Sequence, residues 1–477
     1  MCMDDKSFPS QLWNDTTSQP DAAVNTWSGV ASLHRAFIVA GVGIILTFVV
    51  RRLHQIRQLR RLERLHGCKK LPNESGRFQY DFLGIAKAIE LGFHLRYRSF
   101  LRYTNALFMK YGETYASNVL VYRLIFTCNT ENIKHLLSTA FTDFDSSPLR
   151  KHLFESITPH GIFTLDSTGW KKSREKLRSQ LSNLRQIVDL NLCEQHFQAF
   201  LQHVPSNGQE FDIQSCVFAL SLDMQTLFSL GESVDALGFS QSQEKKQFLA
   251  DLLSVKERIV QDGFRGPLRY LYPKQRFIQS CRRARKYVMA HVTREVKTTT
   301  CMNKEDDGRP FRRAFNTETE EISQLADQAL SVLLANDSMG TTLSGLFFCL
   351  SQDTRVVHKL RKSIIDTIGL TPPIWEQLAS LRYVRCVLQE GKDFGENPEA
   401  FYPERWEHLS GDMPGFIPFN KGPRACPGQY YAMIVLTYLV ARIFQTFSTV
   451  SNYNTKPWTE RISMTFENEN GVLVGLS

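Results

Sequence analysis

No C-x-x-C pair occurs among the ten cysteines of this 477-residue chain. That absence argues against a zinc site and, with most of the cysteines in a domain read as cytosolic, against a disulfide framework. Internal repeats and a second set of motifs are also missing, and low-complexity tracts are few. One large domain is therefore expected, with 42% hydrophobic residues to fill its core. Net positive charge is scarce outside one stretch. Eight basic residues from Arg51 to Lys70 (Arg51, Arg52, Arg57, Arg60, Arg61, Arg64, Lys69 and Lys70) stand against Glu63 alone, a net +7 that leaves only +2 of the chain's +9 for everything else. Basicity so local belongs to a membrane surface and excludes nucleic acid as the partner.

The amino end lacks the basic start and the small-residue cleavage site of a secretory signal, since Asp4, Asp5, Asp15 and Asp21 face Lys6 alone. Ala36 to Val50 is apolar or small throughout, Val30 to Leu33 lengthen it, and Arg51 and Arg52 close it. This pattern reads as an uncleaved transmembrane helix over residues 31–50. The basic run then places residues 1–30 in the lumen, makes 51–80 a juxtamembrane linker and leaves 81–477 in the cytosol. Asn14-Asp15-Thr16 becomes an acceptor sequence for a lumenal glycan.

Helical periodicity dominates the large domain, and strand-like runs such as Thr114 to Tyr122 are short and confined to its flanks. The fold class is accordingly mainly α with a small β portion. Leu325 to Leu350 reads as one long apolar helix, with Leu325, Ala329, Val332, Leu333, Asn336 and Gly340 on one broad face.

The segment richest in chemistry is Phe419-Asn420-Lys421-Gly422-Pro423-Arg424-Ala425-Cys426-Pro427-Gly428, which follows the pattern F-x-x-G-x-R-x-C-x-G. Cys426 suits a thiolate ligand beneath a haem iron, the metal site of the chain. Gly422 and Gly428 permit a tight turn and close approach of backbone to macrocycle. Arg424 can face a haem propionate, and Phe419 can keep water from the sulfur and so tune the redox potential. The competing reading is a buried structural cysteine after a Pro/Gly turn, the commoner fate of a lone thiol. Five fixed positions in so short a window favour the ligand.

At these residues the chain resembles the cytochrome P-450 family. Phe401-Tyr402-Pro403-Glu404-Arg405-Trp406 resembles that family's F-x-P-E-R-W segment, and Trp170-Lys171-Lys172-Ser173-Arg174 its C-helix W-x-x-x-R signature. The resemblance implies that Trp170 and Arg174, on one helical face, reach the propionates; an amphipathic surface helix is the plain alternative. The long apolar helix resembles the family's I helix. Asp337-Ser338 falls where the proton-delivery motif is expected, with Asp337 relaying protons from solvent and Ser338 holding water near the distal oxygen. A serine bonded to its own helix and a solvated or capping aspartate are the alternatives. Leu343-Ser344-Gly345-Leu346-Phe347-Phe348 and Gly231-Glu232-Ser233-Val234 resemble the fungal microsomal branch that hydroxylates alkanes and fatty acids.

One departure is large. Glu390 matches the start of the family's E-x-x-R motif, but Asp393 stands where the arginine belongs, which on a continuing helix puts two carboxylates on one face. Too few positions separate Glu390 from Phe401 to hold the strands expected there, and roughly fifty residues are missing by element length. A dropped coding segment explains this better than a trimmed loop, because the pattern resumes in register with a helix over Tyr430 to Phe447 and a strand at Gly471-Val472-Leu473-Val474.

The resemblance implies a P-450-like fold with an N-terminal transmembrane helix, and a haem-thiolate monooxygenase of the endoplasmic reticulum membrane. It implies hydroxylation of a small lipophilic aliphatic substrate with dioxygen and electrons from an NADPH-dependent flavin reductase. Lys171, Lys172, Lys176 and Lys421 offer that reductase a docking face, or are merely solvated. A haem-free, membrane-anchored binding protein or mis-spliced isoform is the alternative suggested by the shortening. An isomerase or dehydratase needing no external electrons is disfavoured by Asp337-Ser338.

Overall fold

The computed structural model describes residues 22–67, 71–74, 84–120, 122–181, 184–238, 241–301, 322–390, 400–413 and 415–477. The tail before residue 22, with its glycan acceptor, lies outside these, as do Lys69, Lys70 and Asp393. The chain forms two compact units, one comprising residues up to 87 with 116–124, the other 88–115 with 125–477. The sequence places boundaries after residues 30, 50 and 80; the compact units divide after 87, and the segment 116–124 belongs to the first.

In the first unit, helix α1 (Ala22–Leu65) is 44 residues long, about 66 Å at the standard rise per residue. It runs unbroken through the expected anchor and into the expected linker, which is helical as far as Leu65. Val39, Val42, Leu46 and Val50 keep 56–71% of their surface exposed, an apolar stretch that no protein covers. Nearby, Glu74 pairs with Lys87, and Arg123 lies 3.6 Å from Glu63.

The second unit is built on helices α2 (Pro148–Phe154), α3 (Ser167–Gln180), α4 (Leu190–Leu201), α5 (Ile213–Leu230), α6 (Gln243–Arg265) and α7 (Gln275–Cys301). After these come α8 (Ile322–Leu334), α9 (Asp337–Leu350), α10 (Thr354–Ile368), α11 (Arg382–Gln389) and α12 (Gln429–Thr446). Helix α5 is its axis. Asp212 starts it by accepting a hydrogen bond from the Gln214 N–H at 3.1 Å, and Gly231, at φ 73°, lets the chain turn away at its end. It is apolar and long enough to cross a bilayer, but it is buried on most sides, as a core helix must be. It packs on α8 and α9, and Leu220, Leu333, Leu343 and Phe347 are fully buried there. At the crossing, a Cβ on Gly340 would lie 2.7 Å from the Phe218 ring, so glycine sets how closely α5 and α9 approach.

The long helix expected from Leu325 to Leu350 is two helices, with a break at Ala335 and Asn336. The ladder tightens there: Asn336 N–H donates to the Leu333 carbonyl at 3.3 Å, and Met339 N–H to that of Asn336 at 3.2 Å. Asn336 also accepts a 3.3 Å hydrogen bond from the Ser221 hydroxyl of α5, a side-chain claim that the apolar period does not reveal.

Strands are few and short, in agreement with the mainly α expectation. Strands β1 (Thr114–Val119) and β2 (Tyr122–Thr127) replace the single strand expected from Thr114 to Tyr122; Leu120, at φ 52°, turns the chain between them. Strands β3 (Phe211–Asp212), β4 (Val450–Asn452) and β7 (Leu473–Leu476) form an antiparallel sheet in the order β3-β7-β4, with Phe211 opposite Val474 and Val450 opposite Leu476. Strands β5 (Glu460–Ile462) and β6 (Phe466–Asn468) pair separately. The terminal strand and α12 fall within one or two residues of their expected positions.

Candidate active site

The loop that carries Cys426 is held by its own backbone. Asn420 at φ 62° and Gly422 at φ 68° reverse the chain, and Cys426 N–H donates to the Phe419 carbonyl at 2.7 Å. Gly422 admits no side chain, because a Cβ would sit 1.8 Å from the Leu137 carbonyl oxygen. Gly428 is different: its φ of −90° suits any residue, and a Cβ would make an ordinary 4.0 Å contact with the Cys426 sulfur. Its freedom is needed only toward whatever lies above the thiol. Lys421 donates to the carbonyls of Asp412 and Met413 at 2.9 and 2.8 Å. It braces the loop, while Lys171 and Lys172, also expected on the docking face, are exposed.

Cys426 opens onto a cavity of about 1560 Å³. Burial pushes its thiol pKa up, while the Gly428 N–H and the charge of Arg174 pull it down. Elsewhere burial leads, with nearby acids adding to it: the thiols of Cys193 and Cys281 are pushed up to about 12, as inert core cysteines. Among the described residues no cluster of three histidines, cysteines or acids could hold a metal ion. Cys426 would be the chain's ligand to an iron that arrives with a cofactor.

The rim of the cavity is strongly cationic. Arg150, Arg174 and Arg424 all line it, and Asp166 bonds Arg424 at 2.6 Å. The Arg424 guanidinium lies 4.3 Å from the centre of the Trp170 ring, stacked over it. Burial lowers the pKa of Arg150, and repulsion from Arg424 lowers it further. Burial likewise lowers that of Arg174, and Cys426 opposes this. Three guanidinium groups line the cavity with Asp166 paired to one of them, which leaves spare positive charge and fits a macrocycle bearing two carboxylates beside the thiol. Arg150 had no motif to mark it; only the fold brings it to Arg424.

Ser338 also lines the cavity, and its carbonyl accepts from the Thr342 hydroxyl at 2.8 Å. Asp337 does not line the cavity. It is buried and bound at 2.6 Å to Lys256 of α6, itself buried, a partner that the reading of Asp337 as a relay from solvent did not include. Apolar side chains including Phe163, Phe228, Val332, Leu346 and Phe348 line much of the rest. Phe419 borders the cavity near the thiol.

Glu390 is also corrected. Helix α11 ends at Gln389, and Glu390 is extended, at ψ 120°, so the i, i+3 geometry does not apply. Its carboxylate instead accepts from Arg405 Nε at 3.1 Å, Trp406 Nε1 at 2.9 Å and the Tyr402 N–H at 2.8 Å. Burial raises its pKa against these bonds. The missing arginine thus leaves a carboxylate bound to the F-x-P-E-R-W segment rather than an orphan.

The model of the family described as cytochrome P450 matches residues 87–391 and 392–472, two stretches that meet where the shortening lies. Among curated proteins, the chain is 28% identical to cytochrome P450 monooxygenase fsdH of Fusarium heterosporum, over 86% of this chain and 83% of that protein. It is 27% identical to cytochrome P450 52A5 of Candida maltosa, over 71% of this chain and 77% of that protein. Cytochrome P450 monooxygenase FPY7 of Fusarium mangiferae is 26% identical over 95% of this chain and 99% of its own length, in an alignment of 524 positions. That alignment is longer than the 477-residue chain, which is therefore gapped against its relative. From the thiol loop, the cationic rim and a family match covering most of its length, the chain belongs to the cytochrome P450 family and is a haem-thiolate monooxygenase.

Proposed function

We propose that the chain hydroxylates a lipophilic aliphatic substrate, an alkane or a fatty acid, with dioxygen and electrons from an NADPH-dependent flavin reductase. The observation that carries this is the Cys426 thiol at the floor of a large, chiefly apolar cavity whose rim is cationic. Haem, when bound, supplies the activation of dioxygen for insertion into a C–H bond. The chain's own residues do the rest. Cys426 would ligate the iron; Arg174 and Arg424, with Arg150, would hold the propionates; and Trp170 orients Arg424. Ser338, in the lining of the same cavity, has a hydroxyl that can hold a water or a proton. The phenylalanine-rich wall excludes bulk water and suits an alkyl chain.

The resemblance to the fungal hydroxylase branch supports the substrate class. The exposed apolar stretch of α1 and the basic residues after it support a single-pass anchor at the endoplasmic reticulum, with the catalytic unit in the cytosol. Lys171 and Lys172 are the exposed cations left for a reductase.

The shortening after Glu390 favours a second reading, a haem-free binding protein or mis-spliced isoform that keeps the scaffold. A carbon monoxide difference spectrum of reduced membranes carrying the full chain separates the two. A strongly red-shifted Soret band, absent in Cys426→Ala, is expected, followed by hydroxylated product from an n-alkane or a saturated fatty acid. Well-expressed, inserted protein without haem signal would overturn the oxygenase reading for this chain.

A further inference from the structure

Helix α9 borders the catalytic cavity along its whole length. Ser338, Thr342, Gly345, Phe348, Cys349 and Gln352 all line that cavity, and their spacing of three and four residues puts them on one helical face. From Ser338 to Gln352 this face spans about 21 Å at the standard rise per residue. The cavity, at about 1560 Å³, exceeds the roughly 300–1,000 Å³ of an ordinary ligand pocket. It therefore has room for a long ligand as well as a macrocycle.

Polar groups on this face are occupied by the helix itself. The Thr342 hydroxyl donates to the Ser338 carbonyl at 2.8 Å, and Gln352 Nε2 donates to the Phe348 carbonyl at 3.1 Å. Phe348 meets Trp458, which also lines the cavity, edge to face at 5.3 Å between ring centres. Gly345 is the midpoint, about 10 Å along the helix from either end. It lies inside α9, where glycine costs stability relative to alanine, and among the described residues nothing comes within 4 Å of the place its Cβ would take. Packing does not demand glycine here, in contrast to Gly340, whose Cβ would strike Phe218. What the missing side chain leaves is open length in the cavity.

We propose that Gly345 sets the chain length this cavity accepts: the aliphatic substrate lies along α9 with its reacting end at Ser338 and passes Gly345 toward Gln352. The proposal rests on the aliphatic reading above. An extended chain advances about 1.25 Å per carbon, so the face holds about sixteen carbons, and about eight as far as Gly345. The test uses the full chain in lipid nanodiscs with octan-1-ol, dodecan-1-ol and hexadecan-1-ol, uncharged probes that need no cation in the cavity. Binding is read by the Soret shift and, independently of haem, by the rise in thermal midpoint. Hexadecan-1-ol should bind most tightly to the parent chain. Gly345→Phe and Gly345→Leu, whose side chains enter open space, should weaken it roughly tenfold or more, because each displaced methylene costs several-fold. Octan-1-ol should bind them as before, so that the order of preference reverses. Gly345→Ala should keep the parent order and raise the ligand-free midpoint; a role in helix stability alone would move that midpoint in all three variants and leave the order untouched. The parent order persisting in both folded bulky variants would overturn the proposal and leave the aliphatic reading standing. Failure of every alcohol to bind by either readout would sink both.

Discussion

At the scale of single residues, charge placement decides both chemistry and stability. Glu404 shows the second. Burial disfavours its charge, but hydrogen bonds from Tyr383, Lys359 and Arg355 outweigh this and hold its carboxyl at about 2, against an ordinary 4.5. A depressed acid stabilises the fold fully above its unfolded pKa, and that contribution is lost as pH falls from about 4.5 toward 2. Arg355 and Lys359 are about half exposed, so solvent screening trims the effect to on the order of 2 kcal/mol. Acid unfolding of Glu404→Gln should accordingly begin from a less stable protein at neutral pH and show a flatter dependence between these limits; an unchanged pH slope would contradict the assignment. The sequence revealed Cys426, Trp170, Arg174 and Arg424 because each sits in a short pattern whose geometry is local. It hid Arg150, Lys256 and the new partners of Glu390, since those pairs join positions far apart in the chain. Only the folded structure brings them within bonding distance.

At the scale of elements, periodicity located the helices but not their interruptions. The apolar stripe from Leu325 to Leu350 has the same period on both sides of Asn336, so nothing in it marks the break that the Asn336–Ser221 hydrogen bond accompanies. Gly340 was legible only as part of a face, whereas the structure packs it against the Phe218 ring of α5 with no room for a Cβ. Gly340→Ala should drive a methyl into the Phe218 ring and cost about 1–3 kcal/mol, measured by thermal unfolding. Adding Phe218→Leu should return part of that loss, because two residues in contact do not act independently. Additive losses in the double variant would mean that the crossing is not where the strain falls.

At the scale of the whole molecule, the question is how the fold tolerates a shortening between α11 and the thiol loop. Composition and motif order pointed to one large haem-binding scaffold and a basic segment ahead of it; they could not give the division into two units, which depends on where the chain doubles back. The Glu390 contacts suggest how the shortened chain holds together. The acid still ties the end of α11 to Tyr402, Arg405 and Trp406, with its side chain 1% exposed and that of Arg405 5% exposed, and α11 packs against this same segment. Removing one partner of a buried pair strands the other, so Glu390→Ala should destabilise the catalytic unit by about 3–5 kcal/mol. Cys426→Ala, which touches only the loop, should abolish the thiolate spectrum while leaving the helical signal and thermal midpoint of the haem-free chain intact. The two variants thus separate scaffold from chemistry. If Glu390→Ala unfolds at the same temperature as the parent chain, the contact is incidental and some other segment must bridge the shortened region.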